Sequence, residues 1–151
     1  MALMATLDAG SDSFAAAEAA LERGAWEEAF VDFERAIGAG VGPEAIEGLG
    51  MAAWFLDDVP VVFDARERAY AAYREAGRPT DAARVAIALA WDYRIFRGEA
   101  AVGDGWLARA RRLLEGQDRP VSSGGCCCGR RRLRFPGTLR WLVSGVRRRA
   151  F

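Results

Sequence analysis

The sequence predicts an all-α protein of antiparallel helical hairpins, followed by a C-terminal segment of different composition. Between Asp12 and Gly116, apolar residues recur at the spacing of an amphipathic helix. Glycine, proline or paired acidic residues interrupt this pattern at short intervals, as expected between helices. We therefore expect six helices with short connections.

The first two helices are bounded by clear capping residues. Asp12 is suited to cap a helix over about Ser13 to Arg23, and Gly24 ends it because glycine readily takes the left-handed conformation. The second helix is expected over about Trp26 to Ile37, with its apolar residues on one stripe. Together they predict a first hairpin.

Proline and acidic residues delimit the next two helices. The third helix begins after Gly42, with a proline in its first turn, and ends at about Leu56. Asp57-Asp58 interrupts the pattern as ordinary helix-capping residues, and the fourth helix follows from about Val59 to Ala76.

The last two helices carry the longest apolar run. The fifth helix is expected over about Thr80 to Arg97, and its unbroken run from Val85 to Trp91 predicts burial on more than one side. The sixth is expected over about Glu99 to Glu115. We assign Trp91 and Trp106 to the core.

A repeated pattern favours an open stack of hairpins over a closed bundle. Ala36, Ala69 and Ala110 occupy matching places in the second helix of each hairpin, at intervals of 33 and 41 residues. The first interval is close to the period of about 34 residues that is typical of tetratricopeptide repeats. We therefore expect about three repeats, of which one is longer.

The first hairpin resembles a tetratricopeptide (TPR) repeat in its second half, where Gly24 to Ala29 is followed by Phe33 and Ala36. The later repeats depart from the family pattern, since Val62 and Gly103 stand in the place of its small alanine and Arg66 in the place of an aromatic residue. The resemblance implies a short right-handed solenoid that binds proteins.

Five segments together resemble the helical-repeat region of LuxR-type transcriptional regulators and adenylate-cyclase-like signalling proteins: Trp26–Ala29, Glu47–Trp54, Ala65–Tyr70, Tyr73–Gly77 and Gly105–Leu114. The resemblance covers about Ser13 to Glu115 and implies a role in signalling or transcription regulation, as a truncated sensor or regulatory region. No segment matches the helix-turn-helix output domain of such regulators.

The resemblance also implies a groove lined by the first helix of each hairpin. Its positions fall on Glu18, Glu22, Glu47, Met51, Trp54, Phe55, Asp92 and Phe96. An acidic groove with aromatic side chains would suit a basic or amphipathic peptide. In the alternative interpretation, the three aromatic residues fill the core between hairpins and the acids form a solvated face.

Charge divides the chain near residues 116 to 120. All 21 acidic residues precede Arg119, whereas Arg119 to Phe151 carries nine arginines and no acid. We therefore expect residues 1–11 to be a disordered N-terminus, residues 12–116 to form the repeat domain, and residues 117–151 to be an irregular or disordered tail. The tail composition suggests a frameshift near codons 117 to 121.

The alternative function is nonspecific nucleic-acid binding through the tail. Clustered arginines bind the phosphates of nucleic acids. The tail has two such clusters, the first of Arg130, Arg131 and Arg132 and the second of Arg147, Arg148 and Arg149. A tail without a selected role is the simpler interpretation, so we expect protein or peptide partners and no nucleic acid or membrane partner.

The composition argues against an enzyme or a metalloprotein. The chain has no histidine, which removes the commonest general base and metal ligand. Cys126, Cys127 and Cys128 are adjacent and lack the spaced pairs of a zinc site. We expect no cofactor and no metal, and a cytoplasmic location because no targeting or membrane-spanning segment is evident.

The last predicted helix has an uncovered apolar side. Terminal repeats normally carry a polar capping face, whereas the sixth helix would expose Leu107, Leu113 or Leu114. We therefore expect self-association through this helix or marginal stability.

Overall fold

The fold is all-helical over the residues that the structure describes. The computed structural model describes the backbone of residues 2–115 and the side chains of residues 9–115. Over that range it contains six helices and no strand: α1 (Ala2–Arg23), α2 (Trp26–Gly38), α3 (Pro43–Phe55), α4 (Val59–Glu75), α5 (Pro79–Phe96) and α6 (Ala100–Glu115). The expected all-α class is confirmed, and α2 to α6 begin and end within one residue of their predicted bounds.

The first helix is longer than predicted. It begins at Ala2 and not at Ser13, so that residues 2–11, expected to be disordered, continue the helix. Gly10 shows why: a Cβ atom there would lie 2.8 Å from the Cβ atom of Ala39 and 3.1 Å from a methyl carbon of Val41. Gly10 thus packs closely against the turn between α2 and α3, a long-range contact that the local capping pattern at Asp12 does not reveal.

The turn within each hairpin contains one residue in the left-handed conformation. These residues are Gly24 (φ 77°), Asp57 (φ 62°) and Gly98 (φ 67°), at intervals of 33 and 41 residues. Asp58 caps α4, because its side chain accepts a hydrogen bond from the backbone N–H of Val61 at 3.3 Å. The two adjacent acids therefore have different structural roles: Asp57 lies in the turn that follows α3, and Asp58 caps the start of α4.

Consecutive helices pack against one another along the chain. We call α1 with α2, α3 with α4, and α5 with α6 the first, second and third hairpins; α2 also packs on α3 and α4 on α5, and α1 touches α3. One apolar cluster, which includes Phe33 and Leu49, joins the first two hairpins. A second, which includes Phe63, Tyr73 and Leu89, joins the second and third.

The prediction that α5 is buried on more than one side is confirmed, because this helix packs against both α4 and α6. The assignment of Trp91 to the core is wrong: its side chain is 54% exposed, because the described helices leave its side of α5 uncovered. Trp106 is half-buried and packs at the edge of the core, with its ring centroid 5.1 Å from that of Tyr70. None of the described helices combines the length and apolar character needed to cross a membrane.

Candidate protein-binding face on the first helices

The first helices α3 and α5 each have a residue that lies close to the second helix of the same hairpin, and these residues offer one way to align them. A Cβ atom at Gly50 would lie 3.3 Å from the Cβ atom of Ala65, and one at Gly103 would lie 2.8 Å from the carbonyl oxygen of Ala90. We align Gly50 with Ala90 on these contacts; they are 40 residues apart, which is one residue less than the 41-residue interval between the turns at Asp57 and Gly98. In α1 we align the buried Ala17, which lies 33 residues before Gly50, the same interval as between the turns at Gly24 and Asp57.

This alignment defines one outward row of side chains. Positions one and five residues after each close approach share a side of the helix, because a turn takes about 3.6 residues. We call this set the outer row: Glu18, Glu22, Met51, Phe55, Trp91 and Ile95. The four residues from α1 and α3 were predicted from the sequence. In α5 the prediction chose Asp92 and Phe96, one residue further along.

Asp92 does not belong to an accessible groove. Its side chain is 3% exposed, and its Oδ2 lies 3.0 Å from Nε of Arg66, which is itself 10% exposed. Neither of these two atoms has a well-aligned hydrogen-bond partner. Burial raises the pKa of Asp92 to about 6, against the opposing effects of Arg66 and of a hydrogen bond from Trp54. The carboxylate thus belongs to a buried ion pair between α4 and α5.

The predicted aromatic residues pack between helices and remain half-buried. The rings of Phe55 and Trp26 are stacked, with centroids 3.9 Å apart. Trp54 meets Phe96 edge to face at 6.3 Å, and Phe96 in turn meets Phe63 at 6.5 Å. These contacts agree with the alternative in which Trp54, Phe55 and Phe96 fill the space between hairpins, although part of each ring stays accessible.

The carboxylate of Glu47 binds side chains of both the second and the third hairpin. Its Oε2 accepts a hydrogen bond of 2.8 Å from the Tyr73 hydroxyl, and its Oε1 is paired with Arg84. Burial, followed by the charge of Glu47, raises the pKa of Tyr73 well above its usual range. Arg84 also binds Asp81 at 3.0 Å. This network links α3, α4 and α5, so the principal role of Glu47 in the structure is to join two hairpins.

Glu18 and Glu22 form the acidic end of the outer row. They are one helical turn apart on α1, with Glu18 half-buried and Glu22 exposed. Partial burial, followed by repulsion from Glu22, raises the pKa of Glu18. A cation placed beside these two carboxylates would relieve that repulsion, which makes this end of the row suited to a basic group.

Sequence reasoning missed an exposed apolar ridge on α5. Ile87, Trp91 and Ile95 recur every four residues and are 40%, 54% and 50% exposed. Leu114 of α6 is also exposed, whereas Leu107 and Leu113 are half-buried. The spacing was visible in the sequence, but the surrounding apolar run made every face of α5 resemble core.

The remaining candidates lie outside the described residues or lack a site. The arginine clusters and the three cysteines of the tail follow Glu115 and are not described. Among the described side chains, no group of three or more cysteine, aspartate or glutamate residues is placed to hold a metal ion. Comparison with known proteins finds no matching family model, no matching curated protein and no matching solved structure.

Proposed function

We propose that Ala2–Glu115 is a TPR-like repeat scaffold that binds a basic or amphipathic peptide along the outer row. The observation that supports this most is the regular placement of the turns, with left-handed residues at Gly24, Asp57 and Gly98. Ala29, Val62 and Gly103 follow these turns at the same intervals, and all three are buried. Three similar hairpins arranged in this way would form a short right-handed solenoid with its first helices side by side.

The chemistry of the outer row favours this class of partner. Its α1 end carries two carboxylates, whereas its α3 and α5 parts carry Met51, Phe55, Trp91 and Ile95. Methionine is adaptable and suits surfaces that accept apolar side chains of several shapes. An amphipathic helix with a basic end could place its apolar face on the thioether and aromatic groups and its positive charges beside Glu18 and Glu22.

A synthetic amphipathic peptide of leucine and lysine tests this proposal. Its binding to the full chain would be measured by fluorescence anisotropy, with a scrambled peptide of equal composition as the control. We expect Met51→Arg to weaken binding about tenfold or more, and Glu18→Gln with Glu22→Gln to reduce its dependence on salt. Val31→Arg, at an exposed valine of α2, is the matched control and should bind normally.

Two results would refute the proposed binding face. One is equal affinity for the ordered and the scrambled peptide, since a specific apolar face should distinguish them. The other is an equal loss of affinity in Met51→Arg and Val31→Arg, because these positions lie on different helices.

We further propose that this scaffold is the sensor or regulatory region of a LuxR-type transcription regulator or a related signalling protein. The segments named above, from Trp26–Ala29 to Gly105–Leu114, support this by their resemblance to such regions. The gene itself provides the test, by translation of the two other reading frames after codon 116. A continuing helical repeat followed by a helix-turn-helix domain is expected, and two frames without helical continuation would contradict the frameshift.

A further inference from the structure

The ridge of Ile87, Trp91 and Ile95 has the geometry of a helix-packing surface. Side chains spaced every four residues form one of the two kinds of ridge by which helices pack together. When two such ridges interlock, the helices commonly cross at about −50°. No described residue covers the ridge on α5, whose side chains are 40% to 54% exposed.

The ridge is also complementary to itself. It has an isoleucine at each end and a tryptophan at its centre. If two copies of α5 meet in opposite directions, Ile87 of each copy lies against Ile95 of the other, and the two Trp91 side chains lie near the symmetry axis. A two-fold interface requires this kind of self-complementary surface, because both copies contribute the same residues.

The distribution of charge favours a second copy at this end of the molecule. Residues 2–78 contain fifteen acids and six arginines, whereas residues 79–115 contain five acids and six arginines. Two copies would repel each other if their first or second hairpins met. The third hairpin is nearly neutral, and two charged groups beside the ridge, Arg94 and Asp104, are paired with each other.

We propose that two copies of this chain associate through their third hairpins, with the α5 ridges packed in opposite directions. This differs from association through α6, which the sequence predicted, because α5 carries the two most exposed large apolar side chains, Trp91 and Ile95, among those that the structure describes. The inference does not depend on the proposed peptide binding. Trp91 and Ile95 belong to both surfaces, so a dimer would compete with a peptide for the α5 part of the outer row. The peptide test changes residues of α1 and α3, and the dimer test changes residues of α5, so the two can fail separately.

Sedimentation velocity of the full chain over a wide range of concentration tests the dimer. A reductant keeps Cys126, Cys127 and Cys128 from cross-linking copies. We expect a monomer–dimer equilibrium in the wild type, and dissociation constants raised about tenfold or more by Trp91→Glu and by Ile95→Glu. Val31→Glu is the matched control, since Val31 is 43% exposed on α2, and it should dimerise as the wild type does.

Several outcomes would overturn the proposal. A wild type that is monomeric throughout would exclude the dimer, and a dimer unaffected by Trp91→Glu and Ile95→Glu would place the interface elsewhere. Equal weakening by Val31→Glu would indicate nonspecific association. Circular dichroism should show wild-type helicity for the two ridge variants, and loss of the fold in both would contradict the exposure from which the ridge is inferred.

Discussion

The buried pair of Arg66 and Asp92 allows a quantitative test of what holds the second and third hairpins together. Its two charged atoms are 3.0 Å apart, and the side chains are 10% and 3% exposed. Both groups have therefore lost most of their hydration. Because Nε and Oδ2 lack well-aligned hydrogen-bond partners, their attraction offsets this loss incompletely.

Removal of either partner alone should be strongly destabilising. Asp92→Leu leaves a buried guanidinium that stays protonated at any ordinary pH, and we expect a loss of about 3–5 kcal/mol in the free energy of unfolding. Arg66→Met should cost less, and least at low pH, because Arg66 lowers the pKa of Asp92 and without it the buried carboxyl takes up a proton more readily and becomes neutral. The least stable native domains have a free energy of unfolding of about 5 kcal/mol. The loss expected for Asp92→Leu could therefore approach the full stability of such a fold.

The double variant Arg66→Met/Asp92→Leu shows how the stability effect of removing both charges differs from that of removing one. Replacing both charges with apolar side chains should be neutral or should stabilise the fold by about 1–4 kcal/mol. Urea unfolding followed by circular dichroism gives these values. Arg68→Ala is the control, because it removes an exposed ion pair with Asp64 and should cost no more than about 0.5 kcal/mol. A double variant as unstable as Asp92→Leu alone would refute the reasoning.

Three further predictions concern pH and close packing. The folded pKa of Asp92, about 6, exceeds its usual 3.8, so its contribution is fully present below about pH 4 and is lost by about pH 6; Asp92→Asn should lack this fall of up to about 3 kcal/mol in thermal unfolding. Gly48→Ala should cost about 1–3 kcal/mol in urea unfolding, because its Cβ atom would lie 2.3 Å from the Phe33 ring. Gly24→Ala should cost about 1–2 kcal/mol, since φ is 77° there. Gly38→Ala is the control for both and should be neutral or stabilising, because a Cβ atom there would meet no atom within 4 Å beyond its own stretch of helix. A fall with pH that persists in Asp92→Asn, or equal effects of all three glycine substitutions, would contradict these expectations.

The candidate site could be read from the sequence only in part. Glu18, Glu22, Met51 and Phe55 lie where the hairpin alignment places the outer row. Asp92 stands 41 residues after Met51, as the interval of the turns requires, but its carboxylate is buried against Arg66 and does not face outward. The sequence did contain a signal for its true environment: Arg66 stands at an aromatic position, and Asp92 follows an apolar run, so each is a charge where burial is expected.

The sequence by itself determined the helices and, apart from the start of α1, their ends, because those depend on neighbours along the chain. Pro43, Asp58 and the glycines at the turns act within a few residues, through backbone conformation and capping. Tertiary structure decided which apolar face of α5 is covered and which is open at Trp91. An apolar side chain has the same hydrophobicity on either face, and only the position of the neighbouring helices determines whether it loses contact with water.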